Sequence, residues 1–514
     1  MYTAPFWITH RKKCLLICAM ILSCLLIFGL ILVFSGAGHL IPKTERKLEI
    51  LMAAVFVALF ILELGFLIAL AGKAPRLEQI FPLFALGLGL LYLFVITPLS
   101  VPDETTHYPA AYELTNNLLA QDEPHAGYAG DFDFSGFTIH NNTADGYRRL
   151  IDDFFAAPDH GETIYVDTLS TIWSLHYSVE YFPQMIGLAA ARLLRLNFLQ
   201  SFYLGRFVNL LFYVLCLAIA LRRTPRFKLM FGLIGILPMA LHQAASFSYD
   251  SFINGIAIIF TASLMKAIYD QGLLPRKDYL VLLVCAMLIA PAKGAYCLIL
   301  LVYLLIPSER FVRKRSKVLS FLLILVACMA MLAVLLLPSL ERILGSPGTV
   351  SNSASVWEML ANRPLYLVSK IAKTMLRYGP IWGYQAIGVL SGLSLPLPIW
   401  IGSSMLLLLI LSALVTPALL SPVTVRQRIN FLLVCILVLL TFLFAMLLSW
   451  GTPDSPFIEG VQGRYLIPVV PLALASLNNR RIQLREEFSI PIAALFSLLS
   501  CASVVYVVLY TVAN

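Results

Sequence analysis

The segment "TPLSVPDETTHYPAAYELTNN", Thr97 to Asn117, sets Asp103, Glu104 and His107 within five residues at the end of an apolar run. Two carboxylates and an imidazole so spaced suit a general base with a helper, or ligands for a cation. They also suit a plain helix start, since Pro-Asp-Glu ahead of a helical stretch favours an N-terminus. A carboxylate close to a low-dielectric boundary is expected to titrate above its ordinary range, toward values useful for taking a proton. His107 shares the face of Asp103 if both are helical, where it can bind a phosphate or ligate a metal. Asp250 stands in the turn "SFSYDSF" between two apolar stretches. A carboxylate there is costly unless paired or wet, so a structural partner, Arg206 or Lys293, stands beside a catalytic role. Arg464, in "IEGVQGRYLIP", offers a planar fork of donors that matches phosphate oxygens. The nearby glycines let backbone amides approach an anion, and Gln462 and Tyr465 flank it as substrate contacts. The plainer alternative is an interfacial arginine reaching for water.

The elements that hold these residues are apolar helices. Of the 514 residues 60% are hydrophobic and 13% charged, and the mean hydropathy is +0.85. That excludes a soluble protein of this size and implies an integral membrane protein. Most apolar runs approach the ~20 residues a spanning helix needs and do not alternate as barrel strands do. The fold class is therefore all-α and polytopic, with about thirteen spans. The net charge of +9 sits in short clusters between the runs, the pattern of cytoplasmic loops rather than of a nucleic-acid surface. All nine cysteines lie in or at the ends of apolar runs, so neither a disulfide framework nor a zinc site is expected.

Charge sets the orientation. Arg11, Lys12 and Lys13 hold the N-terminus inside and a first span, Cys14 to Phe34, exits as a signal anchor. A second span, 50–71, returns, and a third, 80–97, delivers the Asp103 segment outside. Residues 1–79 thus form a two-helix addition. Residues 80–310 form a core whose outer loop, about 99–178, holds about half of the 28 carboxylates. Residues 311–514 supply the C-terminal spans and a second outer loop, about 338–400. The segment "EYFPQMIGLAAARLLRLN" is expected to lie flat in the outer interface. If it crossed, Arg222, Arg223, Arg226 and Lys228 would face out, against the charge rule. The orientation gathers Asp103 with Glu104, Asp250 and Arg464 on one side. Of the rest, Glu63 in "FILELGF" is expected to hydrogen-bond a neighbouring helix. Lys370, Lys373 and Arg377 line one helical face, against lipid phosphates or water. The sequon at Asn141 carries weight only in a glycosylating host.

Four boxes, "SVPDETTHYPAAYE", "FYLGRFVNLLFYV", "LPMALHQAASFSYDSF" and "VQGRYLIPVVPL", occur in order. Together they resemble a largely uncharacterised family of bacterial multipass membrane proteins that is itself similar to GT-C glycosyltransferases. The resemblance runs from about Ile80 to the C-terminus. It implies transfer of a sugar from a polyprenyl-phosphate carrier to a glycan acceptor outside the cytoplasm, in the cell membrane, with the active site on the outer face. It carries the acidic motif of the first outer loop onto Asp103 and Glu104, as catalytic residues, and a later outer aspartate onto Asp250. His107, Lys293, Arg464, Gln462 and Tyr465 are assigned to substrate from charge and side alone. Thr105 stands where many members have proline. No second strong acidic pair stands beside it, so the resemblance does not by itself require a divalent metal (Mg or Mn). A transporter or flippase of lipid-linked saccharides, or a polymerase or ligase of them, is the alternative. One-sided charge favours the enzyme over a transporter, whose charges collect near the midplane.

Overall fold

A computed structural model describes residues 46–72, 75–121, 123, 125–159, 161–166, 179–345, 356–416, 422–449 and 455–513. The first expected span, Cys14 to Phe34, lies outside them. The described chain is mostly helical. Seven helices are long and apolar enough to cross a membrane, and three shorter apolar helices cover Gly294–Leu305, Ile399–Leu414 and Gly463–Ala475. Their positions follow the apolar runs closely, because chain in hydrocarbon must satisfy its own backbone hydrogen bonds.

Helices α1 (Arg46–Ala71) and α2 (Leu77–Val95) form an antiparallel pair. Helix α1 is bonded to the last helix of the chain. The Glu63 carboxylate accepts from Ser497 Oγ at 2.7 Å and from Cys501 Sγ at 3.5 Å, which ties α1 to the last helix, Ser489–Ala513. The end of α2 is closed by Asn142 of the polar loop that follows it. Its side chain accepts from the Thr97 N–H and donates to the Val95 carbonyl and Thr511, groups a helix terminus otherwise leaves bare.

This polar loop then contributes α3 (Glu104–Leu118) and a two-stranded antiparallel pair, Ala126–Tyr128 with Thr163–Tyr165. Aromatic packing docks α3. The Tyr108 ring meets Phe202 at 4.9 Å and Phe247 at 5.0 Å, with Phe132, Phe134 and Phe198 around it.

The segment expected to lie flat is α4 (Phe182–Leu193), followed by α5 (Phe198–Arg223). At 12 residues it is too short to cross a bilayer by itself. It folds back along α5 as a helical hairpin, with Gly187 against Gly205. A Cβ on Gly187 would stand 2.7 Å from the Gly205 Cα and from the Leu204 carbonyl oxygen. Small residues there let the two backbones touch. The apolar run that follows is broken into the helices Lys228–Gly235 and Pro238–Ala244, since Pro238 cannot continue the helix before it. Helix α6 (Asp250–Tyr269) is the most enclosed of the spanning helices. Against it pack α5, the 3₁₀ segment Gly294–Leu305 and the 3₁₀ segment Gly463–Val469, and the amphipathic helix α7 (Pro364–Gly388) packs on the last of these.

Candidate active site

The turn before α3 holds two left-handed residues, Leu99 (φ 64°) and Asp103 (φ 62°), a region that asparagine and aspartate tolerate better than most. This geometry splits the two acids. Asp103 occupies the N-cap position without capping, since its side chain bonds no helix N–H. Its carboxylate instead accepts from Arg464 Nη2 at 2.5 Å, half-exposed at the mouth of the site. Glu104 turns inward and is fully buried. It accepts from Arg206 Nε at 2.9 Å and Nη2 at 2.6 Å, and from the N–H groups of Leu99 and Phe247 at 2.9 and 3.0 Å. Arg206 also donates to the carbonyls of Ile96 and Thr97. Both carboxylate oxygens of Glu104 are engaged by these donors, so in this structure it is an anchor. It pins the end of α2 and the loop at Phe247 to α5.

Arg464 is the hub. It lies in the 3₁₀ segment after Gly463, where a Cβ on Gly463 would stand 2.1 Å from the Trp382 carbonyl oxygen. Glycine alone lets this segment press against α7, and its N–H donates to Gln385 Oε1 at 2.9 Å. The guanidinium, 3% exposed, reaches Asp103 on one side and Asp250 Oδ2 at 3.4 Å on the other. Its Nη1 donates to nothing. Asp250 starts α6 and accepts from Lys293 Nζ at 2.7 Å. The structural partner is thus Lys293; Arg206 belongs to Glu104. Lys293 Nζ lies over the Tyr465 ring at 3.8 Å and the Tyr249 ring at 5.2 Å, so Tyr465 serves the site through its face. Gln462 stands three residues before Tyr465, with a buried Oε1 that has no hydrogen-bond partner among the described residues.

His107 is buried with Nδ1 2.5 Å from the Tyr181 hydroxyl and its ring edge-on to Tyr249 at 4.9 Å. Burial, opposed by the nearby Asp103, lowers its pKa to about 4, so it is a neutral imidazole at pH 7 rather than a cation for phosphate. Burial raises the Asp103 carboxyl, but Arg464 and, less strongly, His107 outweigh it and hold it below the ordinary value. That reverses the upward shift expected from the boundary alone.

The acids do not fit a divalent cation. Asp103 and Asp250 both face Arg464, Asp250 also faces Lys293, and among the described residues no three of His, Cys, Asp and Glu gather for one. Of the expected site residues, Asp103, His107, Asp250, Lys293, Arg464 and Tyr465 converge, with Gln462 at the edge. Tyr181, Tyr249 and the buried Glu180 join them unforeseen. Glu180 and Tyr181 are neighbours and Tyr249 precedes Asp250, but no spacing marks them as parts of a site. The basic stripe on α7 divides, with Lys370 buried and Lys373 and Arg377 exposed.

No curated protein and no solved structure matches the chain. A family model does match, over residues 86–473, from the middle of α2 through the Arg464 segment, and so takes in every residue of this cluster. The chain belongs to the DUF2142 family of predicted membrane proteins.

Proposed function

We propose that this protein is a membrane glycosyltransferase of the GT-C type, moving a sugar from a polyprenyl-phosphate carrier to a glycan acceptor. The observation that carries it is the Arg464 guanidinium, buried between two carboxylates with its Nε and Nη1 donors making no hydrogen bond among the described residues. Buried donors without partners are rare in folded proteins, and a guanidinium so held is built to take a phosphate oxygen.

The chemistry follows from the charges. In the described state Asp103 and Asp250 balance Arg464 and Lys293, with His107 neutral. An incoming lipid phosphate competes with Asp103 for Arg464. Released from that pair, Asp103 becomes more basic. The acceptor hydroxyl oxygen bonds to the anomeric carbon as the bond from that carbon to the phosphate oxygen breaks. The acceptor proton passes to Asp103, and the charge left on the lipid phosphate is met by Arg464 and Lys293. Glu104 takes no part beyond holding the turn.

This reading places the protein in the cell membrane with about thirteen spans, its N-terminus inside and the Asp103 mouth outside. The experiment is transfer of radiolabelled sugar from a polyprenyl-phosphate pool in membranes, wild type against Asp103→Asn at matched expression. Loss of transfer with intact donor supports the assignment. Undiminished transfer in the variant overturns the role of Asp103, and absence of transfer in both, with flipping of the donor instead, favours a flippase.

A further inference from the structure

Buried polar atoms without partners gather around the Asp250–Lys293 pair. Glu180 is fully buried, and neither carboxyl oxygen makes a hydrogen bond among the described residues. It sits at the start of α4, beside Tyr181, whose hydroxyl meets His107. Lys293 and Asp250 are the charged groups that act on it. Asn254 lies one turn into α6 from Asp250, on the same face, and is 5% exposed with an unpaired Nδ2. Arg464 Nη1 and Gln462 Oε1 are unpaired as well.

Single orphans of this kind are uncommon, and a group of them marks the place of a ligand or of ordered water. Their chemistry narrows the ligand. Glu180 and Gln462 offer acceptors, whereas Asn254 and Arg464 offer donors. An anion would satisfy only the donors. A hydroxyl both gives and takes, so a ligand rich in hydroxyls satisfies both sets. Burial, with Lys293 opposing it, raises the Glu180 carboxyl well above its ordinary value. In the protonated form it presents one donor and one acceptor side by side, which matches two neighbouring hydroxyls on a ring. The faces of Tyr249 and Tyr465, already packed around Lys293, supply apolar surface for the C–H groups of such a ring.

We propose that Glu180 and Asn254 form a subsite for the hydroxyls of the donor sugar ring, with Glu180 as its specificity-determining residue. The proposal rests on the phosphate-sugar reading of the same site: the phosphate lies against Arg464 and Lys293, and the ring lies beside Glu180.

The test is equilibrium binding to the full-length protein in nanodiscs. The probes are farnesyl phosphate and its esters with glucose, galactose, mannose, N-acetylglucosamine and arabinose. Wild type is expected to bind one ester at least about tenfold more tightly than bare farnesyl phosphate. Glu180→Leu is expected to keep the affinity for farnesyl phosphate and lose that preference. Glu180→Gln, which still offers a donor and an acceptor, is expected to keep most of it. Full preference in Glu180→Leu overturns the proposal. Should that variant not fold, Asn254→Leu replaces it, and full preference there overturns it equally. Wild type that binds farnesyl phosphate but prefers no ester removes the sugar subsite and leaves the phosphate reading standing. Wild type that binds neither removes the phosphate reading, and this proposal with it.

Discussion

Asp103 and Glu104 are neighbours in the chain with separate tasks, because a left-handed turn points one carboxylate at the mouth and the other into the core. The consequence is measurable. Asp103→Asn keeps the shape and a hydrogen bond to Arg464 but cannot take a proton. Transfer is expected to fall by about 10²-fold or more, with little change in the unfolding midpoint. Glu104→Gln is expected to do the reverse of sparing the fold. It leaves the fully buried Arg206 without its counter-charge, a loss of about 3–5 kcal/mol, read as a lower thermal midpoint in detergent. An unchanged midpoint would remove the anchor role. His107 sets a pH dependence. Its pKa falls from 6.5 in the ordinary state to about 4 in the folded one, so between those values the unfolded chain binds more protons. The stability it contributes is complete above pH 6.5 and is lost as pH falls toward 4. The difference between wild type and His107→Asn midpoints is therefore expected to shrink across that window, and a constant difference would contradict the buried neutral imidazole.

At the scale of elements, the site depends on close backbone contacts made where glycine stands. Gly463 lets the Arg464 segment meet α7, and Gly187 lets α4 meet α5. Gly463→Ala puts a methyl 2.1 Å from the Trp382 carbonyl oxygen, a backbone atom that cannot swing aside. The segment must move away from α7 and carry Arg464 off Asp103 and Asp250. Overpacking of this kind costs about 1–3 kcal/mol. The expected result is loss of transfer together with a modest fall in midpoint, larger in its effect on activity than on stability. A variant with full transfer would mean that Arg464 is not held by this contact. The spacing of apolar residues predicts where these helices lie, but it does not say which glycine is a contact and which is a gap. Gly379 and Gly383 on α7 face open space, and nothing in the surrounding sequence separates them from Gly463.

For the molecule as a whole, the question is which side the cluster faces. Charge predicts that the Asp103 loop is outside and that Arg222, Arg223 and the run "SERFVRKRSK" are inside. Single cysteines at the exposed Ser135 and at the exposed Arg315, in a background freed of native cysteine, test it with a membrane-impermeant maleimide. Labelling of the first and protection of the second in intact cells is expected. Equal labelling would overturn the topology, and the reversed pattern would put the site in the cytoplasm.

The sequence by itself determined the class of molecule and the positions of nearly every described helix, because crossing hydrocarbon requires a long apolar run and such runs are legible one residue at a time. It also predicted that Asp103, Asp250 and Arg464 share a side, since a span carries its ends to opposite faces. Only the tertiary structure decided who pairs with whom. Asp103 meets Arg464 361 positions away and Glu104 meets Arg206 102 positions away, and these choices rest on helix packing and on one left-handed residue. The same packing buried Glu180 without a partner and kept His107 neutral. Burial belongs to the assembled fold, so no local pattern could announce it.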